Sequence, residues 1–201
     1  IDQVLLGDKQ QAIQAYFSEK IISVSAGASG FRLPPGAARI QPLTRLPEDG
    51  VIRIAVPSVA QKLSAGFIRS LRKVEESCPG QVHFVFFLGE RSLQAVACLH
   101  QIRREIQHAS YHLQMPYDDY IREINRCQLH ACSFPFGGTN SLVDSLRQGL
   151  PIVALEGLEP HARIDASFVR HIGLPESLIC HSEESYQQRL VDLIRQPDEL
   201  L

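Results

Sequence analysis

No Cys-x-x-Cys pair occurs in this 201-residue sequence, and its five cysteines (Cys78, Cys98, Cys127, Cys132 and Cys180) form an odd set. That argues against both a zinc site and a disulfide framework, so a reducing, cytoplasmic setting is expected. No apolar run approaches the roughly 18 residues that a transmembrane helix needs, and no membrane partner is expected. Nor is there a strong charge of one sign. With a net charge of −2 and interspersed acids and bases, the chain carries no general field to gather nucleic acid, and any anion must be bound locally. The chain opens on Ile1 rather than methionine and is expected to be a piece of a longer protein.

Several motifs are also missing. Neither GxGxxG nor GxxxxGK[ST] is present, which disfavours ordinary dinucleotide and P-loop binding. The absence of HExxH and of Asp-x-Asp gives no sign of a divalent metal, and the absence of GxSxG removes the usual serine elbow.

What remains is the rhythm of a parallel α/β sheet. Ser25 to Gly50 accumulates glycine and proline and is read as a surface linker, preceded by a helical patch near Gln10 to Tyr16 and a strand-like stretch from Lys20 to Val24. Two units are expected: residues 1–50 as an incoming segment and linker, and residues 51–201 as a Rossmann-like domain. Strands are predicted at Val51 to Val56, Val82 to Leu88, Ser110 to Leu113, Leu129 to Ser133 and Pro151 to Leu155. They alternate with helices, the first carrying Leu63, Phe67, Leu71 and Val74 on one face. The others are predicted at Arg91 to Gln107, Tyr117 to Arg126, Asn140 to Gln148, His161 to Ile172 and Glu184 to Arg195. In such a sheet ligands sit beyond the carboxyl ends of the strands. The turns after Val56, Leu88 and Phe134 should therefore share one edge.

The richest segment is Phe134-Pro135-Phe136-Gly137-Gly138-Thr139-Asn140, a strand that turns on two glycines into a helix. Gly137 and Gly138 would let backbone amides approach an anion, and the first helical turn favours negative charge. Alternatively, the glycines make only a tight turn, with Thr139 or Asn140 capping the helix. Asn140 and Asp144 share a helix face, where Asp144 is suited to accept from ribose hydroxyls. Lys62, near a helix start, offers an ammonium to a diphosphate or is a solvated surface lysine. His112 should end its strand near the same edge and could donate to a phosphate or a base; His161 is a second candidate. Glu90 follows a strand and either faces the pocket or begins a helix.

In this order the segments resemble the C-terminal half of bacterial cytoplasmic protein N-glucosyltransferases, the family 41 glycosyltransferases that glucosylate high-molecular-weight adhesins, and more distantly the O-GlcNAc transferases. The resemblance is carried by Tyr16 to Lys20, Lys62-Leu63, Val82-His83-Phe84, Leu88-Gly89, Pro116-Tyr117 and Tyr120. It continues in Phe134 to Gly137, Thr139-Asn140, Asp144, His161, Ile164-Asp165 and Gly173 to Glu176. It implies a GT-B architecture in which this chain is the donor-binding domain and a missing N-terminal domain completes the enzyme. By position, Lys62 matches the lysine that contacts the diphosphate and stabilises the leaving group, His112 a donor-site histidine, and Asn140 and Asp144 the nucleotide pocket. The implied reaction is an inverting, metal-independent transfer of glucose from UDP-glucose to asparagine in Asn-x-Ser/Thr sequons of a protein acceptor such as an adhesin. The general base is not assigned, because the acceptor side falls in the missing half. Three positions depart from the family pattern: Glu90 replaces a glutamine, Gly138 an asparagine and Val59 a threonine. They leave room for another sugar, an O-linked N-acetylglucosamine-type transfer, an epimerase on the same scaffold, or a non-catalytic donor-like module.

Overall fold

Each of the alternating apolar runs becomes a strand of one parallel sheet. The computed structural model describes residues 10–22 and 46–200. A short helix α1 (Gln10–Gln14) is followed by β1 (Ile52–Val56), α2 (Ala65–Ser77), β2 (Val82–Phe87), α3 (Leu93–Glu105), β3 (Ala109–His112) and α4 (Tyr117–Ile124). Then come β4 (Leu129–Ala131), α5 (Asn140–Arg147), β5 (Ile152–Leu155), α6 (Ile164–His171), β6 (Ile179–Cys180) and α7 (Glu183–Arg195). No helix among the described residues is long and apolar enough to cross a membrane.

The sheet order is β3-β2-β1-β4-β5-β6. The chain therefore winds outward from β1 to β3, returns to the other side of β1 as β4, and winds outward again. Every pairing is parallel, with Ile54 opposite Leu129 across β1 and β4 and Phe87 opposite His112 across β2 and β3. The reversal between β1 and β4 parts the loops that follow them, and the crevice this leaves is where an open α/β sheet binds ligands.

Strand alternation divides the core between the two faces of the sheet. Ile54, Val56, Phe84, Phe86 and Leu129 lie in the larger cluster with Phe67, Leu71 and Val74 of α2 and Tyr186, Leu190 and Leu193 of α7. Ala55, Val85 and Phe87 point the other way, onto Ile124, Cys127 and Leu150. His130 is fully buried, and desolvation lowers its pKa to about 3, so the ring is neutral at ordinary pH.

Most predicted boundaries agree within one to two residues. The sixth strand was not expected, because two residues are too short to show alternation. The predicted helix at His161 begins later: Pro160–Ala162 form a 3-10 turn and α6 starts at Ile164. Lys20, Ile21 and Ile22 form no strand, and residues 23–24, with most of the expected linker, lie outside the described residues.

An aromatic cluster joins the core to the loop after β4. Phe67 meets Phe134 edge-on at 5.4 Å, and Phe134 meets Tyr186 at 5.3 Å. Tyr186 also donates its hydroxyl to the Cys132 carbonyl at 3.0 Å. Phe67→Ala should therefore cost about 3–5 kcal/mol of unfolding free energy, measured by urea denaturation. A loss well under about 1 kcal/mol would mean that Phe67 does not anchor this cluster.

Candidate functional site

Beyond Val56 the chain makes a short turn, with Ser58 N donating to the Val56 carbonyl at 3.0 Å. A single 3-10 turn, Ala60–Lys62, then carries Lys62 toward the crevice. Ser64 performs two tasks. It caps α2 by accepting from Phe67 N, and it donates to the Phe134 carbonyl at 2.7 Å. Lys62 Nζ donates to the Gly137 carbonyl at 2.7 Å. The loops after β1 and β4 are thereby fastened together across the reversal of the sheet.

The turn from Phe134 to Gly138 contains a cis Phe134–Pro135 peptide and is held at further points. The hydroxyls of Ser58 and Ser133 lie 2.8 Å apart, and Ser133 donates to the Phe136 carbonyl at 2.8 Å. From α6, Asp165 reaches beneath the turn, and its buried carboxylate abuts the Gly137 backbone. A Cβ added at Gly137 would collide with that carboxylate. Gly137 is thus required by close packing. Thr139 sits at the N-cap of α5 without a side-chain hydrogen bond to the helix. The expected cap is absent, and the first-turn amides of α5 are not engaged by a capping side chain.

These loops enclose a cleft of about 540 Å³, lined on one side by Pro57, Ser58, Val59, Lys62, Thr139, Asn140, Ser141 and Asp144. The opposite side is apolar and aromatic: Phe87, Gly89, Leu113, Gln114, Met115, Tyr117 and Tyr120. A volume between about 300 and 1,000 Å³ with one polar wall is typical of small-molecule sites. Tyr117 donates its hydroxyl to Asp144 Oδ1 at 2.6 Å. Burial raises the Asp144 pKa, and the Tyr117 bond counters that rise. Burial, and then the bond to Asp144, raise the Tyr117 phenol above its usual value.

The structure therefore brings Lys62, Thr139, Asn140 and Asp144 to one cleft, with Gly137 and Gly138 as their support. Three expected residues do not line it. His112 stacks on Phe87 at 5.0 Å, with Nε2 4.0 Å from Glu123, because register opposite Phe87 sets its ring against the second face. His161 stacks on the half-exposed Phe136 at 4.3 Å, outside the turn. Glu90 follows Gly89, whose φ is +72°, does not line the cleft, and has a buried Oε1 without a hydrogen-bond partner. Conversely, Tyr117 and Asp165 had not been given roles from sequence. Tyr117 had a local sign, since it opens a helix directly after the turn that follows β3. Asp165 had none, being one acid in a helical first turn. Among the described residues, no group of three or more His, Cys, Asp or Glu is arranged to hold a metal ion.

Gly137→Ala should cost about 1–3 kcal/mol of stability through overpacking, and that cost should shrink toward zero in an Asp165→Ala background. A double-mutant cycle by urea denaturation measures the coupling; strictly additive losses would show that the two residues do not press on one another.

No family model matches the chain. It is 29% identical over its whole length to a UDP-glucose:protein N-beta-glucosyltransferase of Actinobacillus pleuropneumoniae, of which it covers 33%. The chain thus spans about a third of the length of the curated relatives it matches. Among solved structures, a variant of the Thermobaculum terrenum O-GlcNAc transferase superposes with a TM-score of 0.68 at 18% identity, covering 80% of this chain and 32% of that one. The pneumococcal O-GlcNAc transferase in complex with UDP and GlcNAc gives 0.53 at 14% identity, over 98% of this chain and 41% of that one. The chain is therefore similar throughout to one third of the protein N-beta-glucosyltransferases, and its fold is that of a Rossmann-like domain of the GT-B glycosyltransferases.

Proposed function

We propose that this domain binds a UDP-sugar donor and, with the rest of its enzyme, transfers the sugar to protein, with glucose and an asparagine acceptor as the first choice. The observation that carries this reading is the junction at Lys62. Its ammonium, fastened to the Gly137 carbonyl at 2.7 Å, shares one cleft with the start of α5 at Thr139 and Asn140. The whole-length similarity to protein N-beta-glucosyltransferases supports the same assignment.

In this reading the diphosphate lies between Lys62 and the first turn of α5. As the bond between sugar and phosphate breaks, negative charge accumulates on the leaving diphosphate. A pre-positioned ammonium and a helix N-terminus stabilise that charge, which allows transfer with inversion and without a metal. The uridine occupies the aromatic end, where Asp144 accepts from the ribose while Tyr117 holds its carboxylate in place. The sugar extends toward Gly89.

Titration calorimetry should detect UDP binding by this chain. Lys62→Ala and Asp144→Ala should each weaken it by about 1.5–3 kcal/mol, or roughly 10- to 150-fold. Absence of UDP binding, or unchanged affinity in both variants, would sink the assignment. With the longer protein, mass spectrometry of an Asn-x-Ser/Thr peptide and a panel of UDP-sugars should record the gain of one hexose. Gain of an N-acetylhexosamine would instead assign a GlcNAc transferase.

A further inference from the structure

We infer that Asp165 is a positioning residue for the diphosphate subsite: its buried carboxylate pins the Gly137–Gly138 turn from beneath and takes up a proton from solvent when a diphosphate settles above that turn. The inference rests on the donor reading proposed for the cleft.

Asp165 opens α6 and is only 6% exposed, and its Oδ1 has no hydrogen-bond partner among the described residues. An unpaired carboxylate oxygen in such a place is costly unless the group serves a purpose or holds a proton. Its remaining contacts all bear on the candidate site. It lies against the Gly137 backbone so closely that it leaves no room for a Cβ there. The carbonyl of that same Gly137 receives the Lys62 ammonium. Carboxylate and ammonium thus bear on the same residue, one against its Cα and the other on its carbonyl.

The titratable groups facing Asp165 are few. Lys62 is the cation. Cys132 on β4 and Tyr186 on α7 are pushed, mainly by burial, well above their usual values, so neither ionises near neutrality. Asp165 itself is raised by burial to about 7, against the opposing effects of the Cys132 and Gly138 hydrogen bonds and the Lys62 charge. A diphosphate on Lys62 adds negative charge nearby and screens the ammonium that favours the ionised carboxylate. Both changes favour the protonated form. The liganded state then binds more protons than the free one, so affinity for UDP is highest below about pH 7 and falls as pH rises through it. The terminal phosphate of UDP, which gains charge near pH ~6, acts in the opposite sense.

The test is calorimetry of this chain with UDP at about pH 6.5 and about pH 8.5, in pairs of buffers with different ionisation enthalpies. The unsubstituted chain should take up a fraction of a proton on binding and lose affinity several-fold over that interval. Asp165→Asn, which keeps the shape and cannot ionise, should show neither effect; Asp165→Ser is the second variant should the first not fold by circular dichroism. A merely structural aspartate would alter affinity without altering the pH profile. If UDP does not bind at either pH, the donor reading fails and this inference with it. If UDP binds but the unsubstituted chain takes up no proton, or Asp165→Asn keeps the same profile, this inference alone is overturned.

Discussion

The hydrogen bond from Lys62 to the Gly137 carbonyl is the contact around which the candidate site is organised. It spans the two loops that the sheet reversal parts, and it exists only because β1 and β4 are neighbours, with Ile54 opposite Leu129 in the buried core. An ammonium carries three donors. One is committed to the turn, which fixes the side chain that the family resemblance assigns to a diphosphate and removes much of the entropy such a flexible group would lose on meeting an anion. The same bond gives the turn a positive charge at its mouth. The fold therefore supplies both the location of the cation and its restraint.

An anion site bordered by carboxylates needs some device to keep them from repelling its ligand, and three acids lie near this one. Asp144 is bonded to the Tyr117 hydroxyl, which directs one oxygen away from solvent and spreads its charge. Asp165 lies beneath the turn, separated from the cleft by the Gly137–Gly138 backbone and raised by burial to about 7. Glu90 follows a left-handed glycine and does not line the cleft. None of the three is placed to oppose Lys62 directly. At Asp144 a bond distributes the charge, at Asp165 burial favours its neutralisation, and Glu90 lies outside the lining.

The fold was legible because long apolar runs must bury themselves, and alternation is dictated locally: Val82 to Phe87 reads as a strand whatever surrounds it. Two-residue β6 carries no such pattern. In the site, Lys62, Asn140 and Asp144 could be placed at the cleft because each lies within a few residues of a strand end on the correct edge. The glycines left two readings open, an anion cradle or a tight turn, and neither includes the packing that the structure shows at Gly137. What forbids a Cβ at Gly137 is a carboxylate from a helix far along the chain, and no local pattern records such a contact. His112 failed for a related reason. The end of its strand was correctly placed, but orientation about a strand depends on register, and pairing with Phe87 sets the imidazole against an aromatic ring instead of the cleft.

A shared fold says less about chemistry than the cleft does. The superposable structures include proteins at 18% and 14% identity, a level at which the sheet and its crevice persist while side chains are free to change. What this chain adds is a particular set of side chains on those loops. Val59 packs against Gly89 so closely that a Cβ there would lie 3.2 Å from its Cγ1, which closes the gap between the loops after β1 and β2 with a methyl group. Next to that apolar contact stands Glu90, a carboxylate in place of an amide. Both lie where the loops after β1 and β2 meet, and the third departure, Gly138, lies beside the Lys62 junction itself. With the ammonium still bonded to the Gly137 carbonyl at 2.7 Å, a change where the first two loops meet alters the shape of the cleft more readily than the position of its cation.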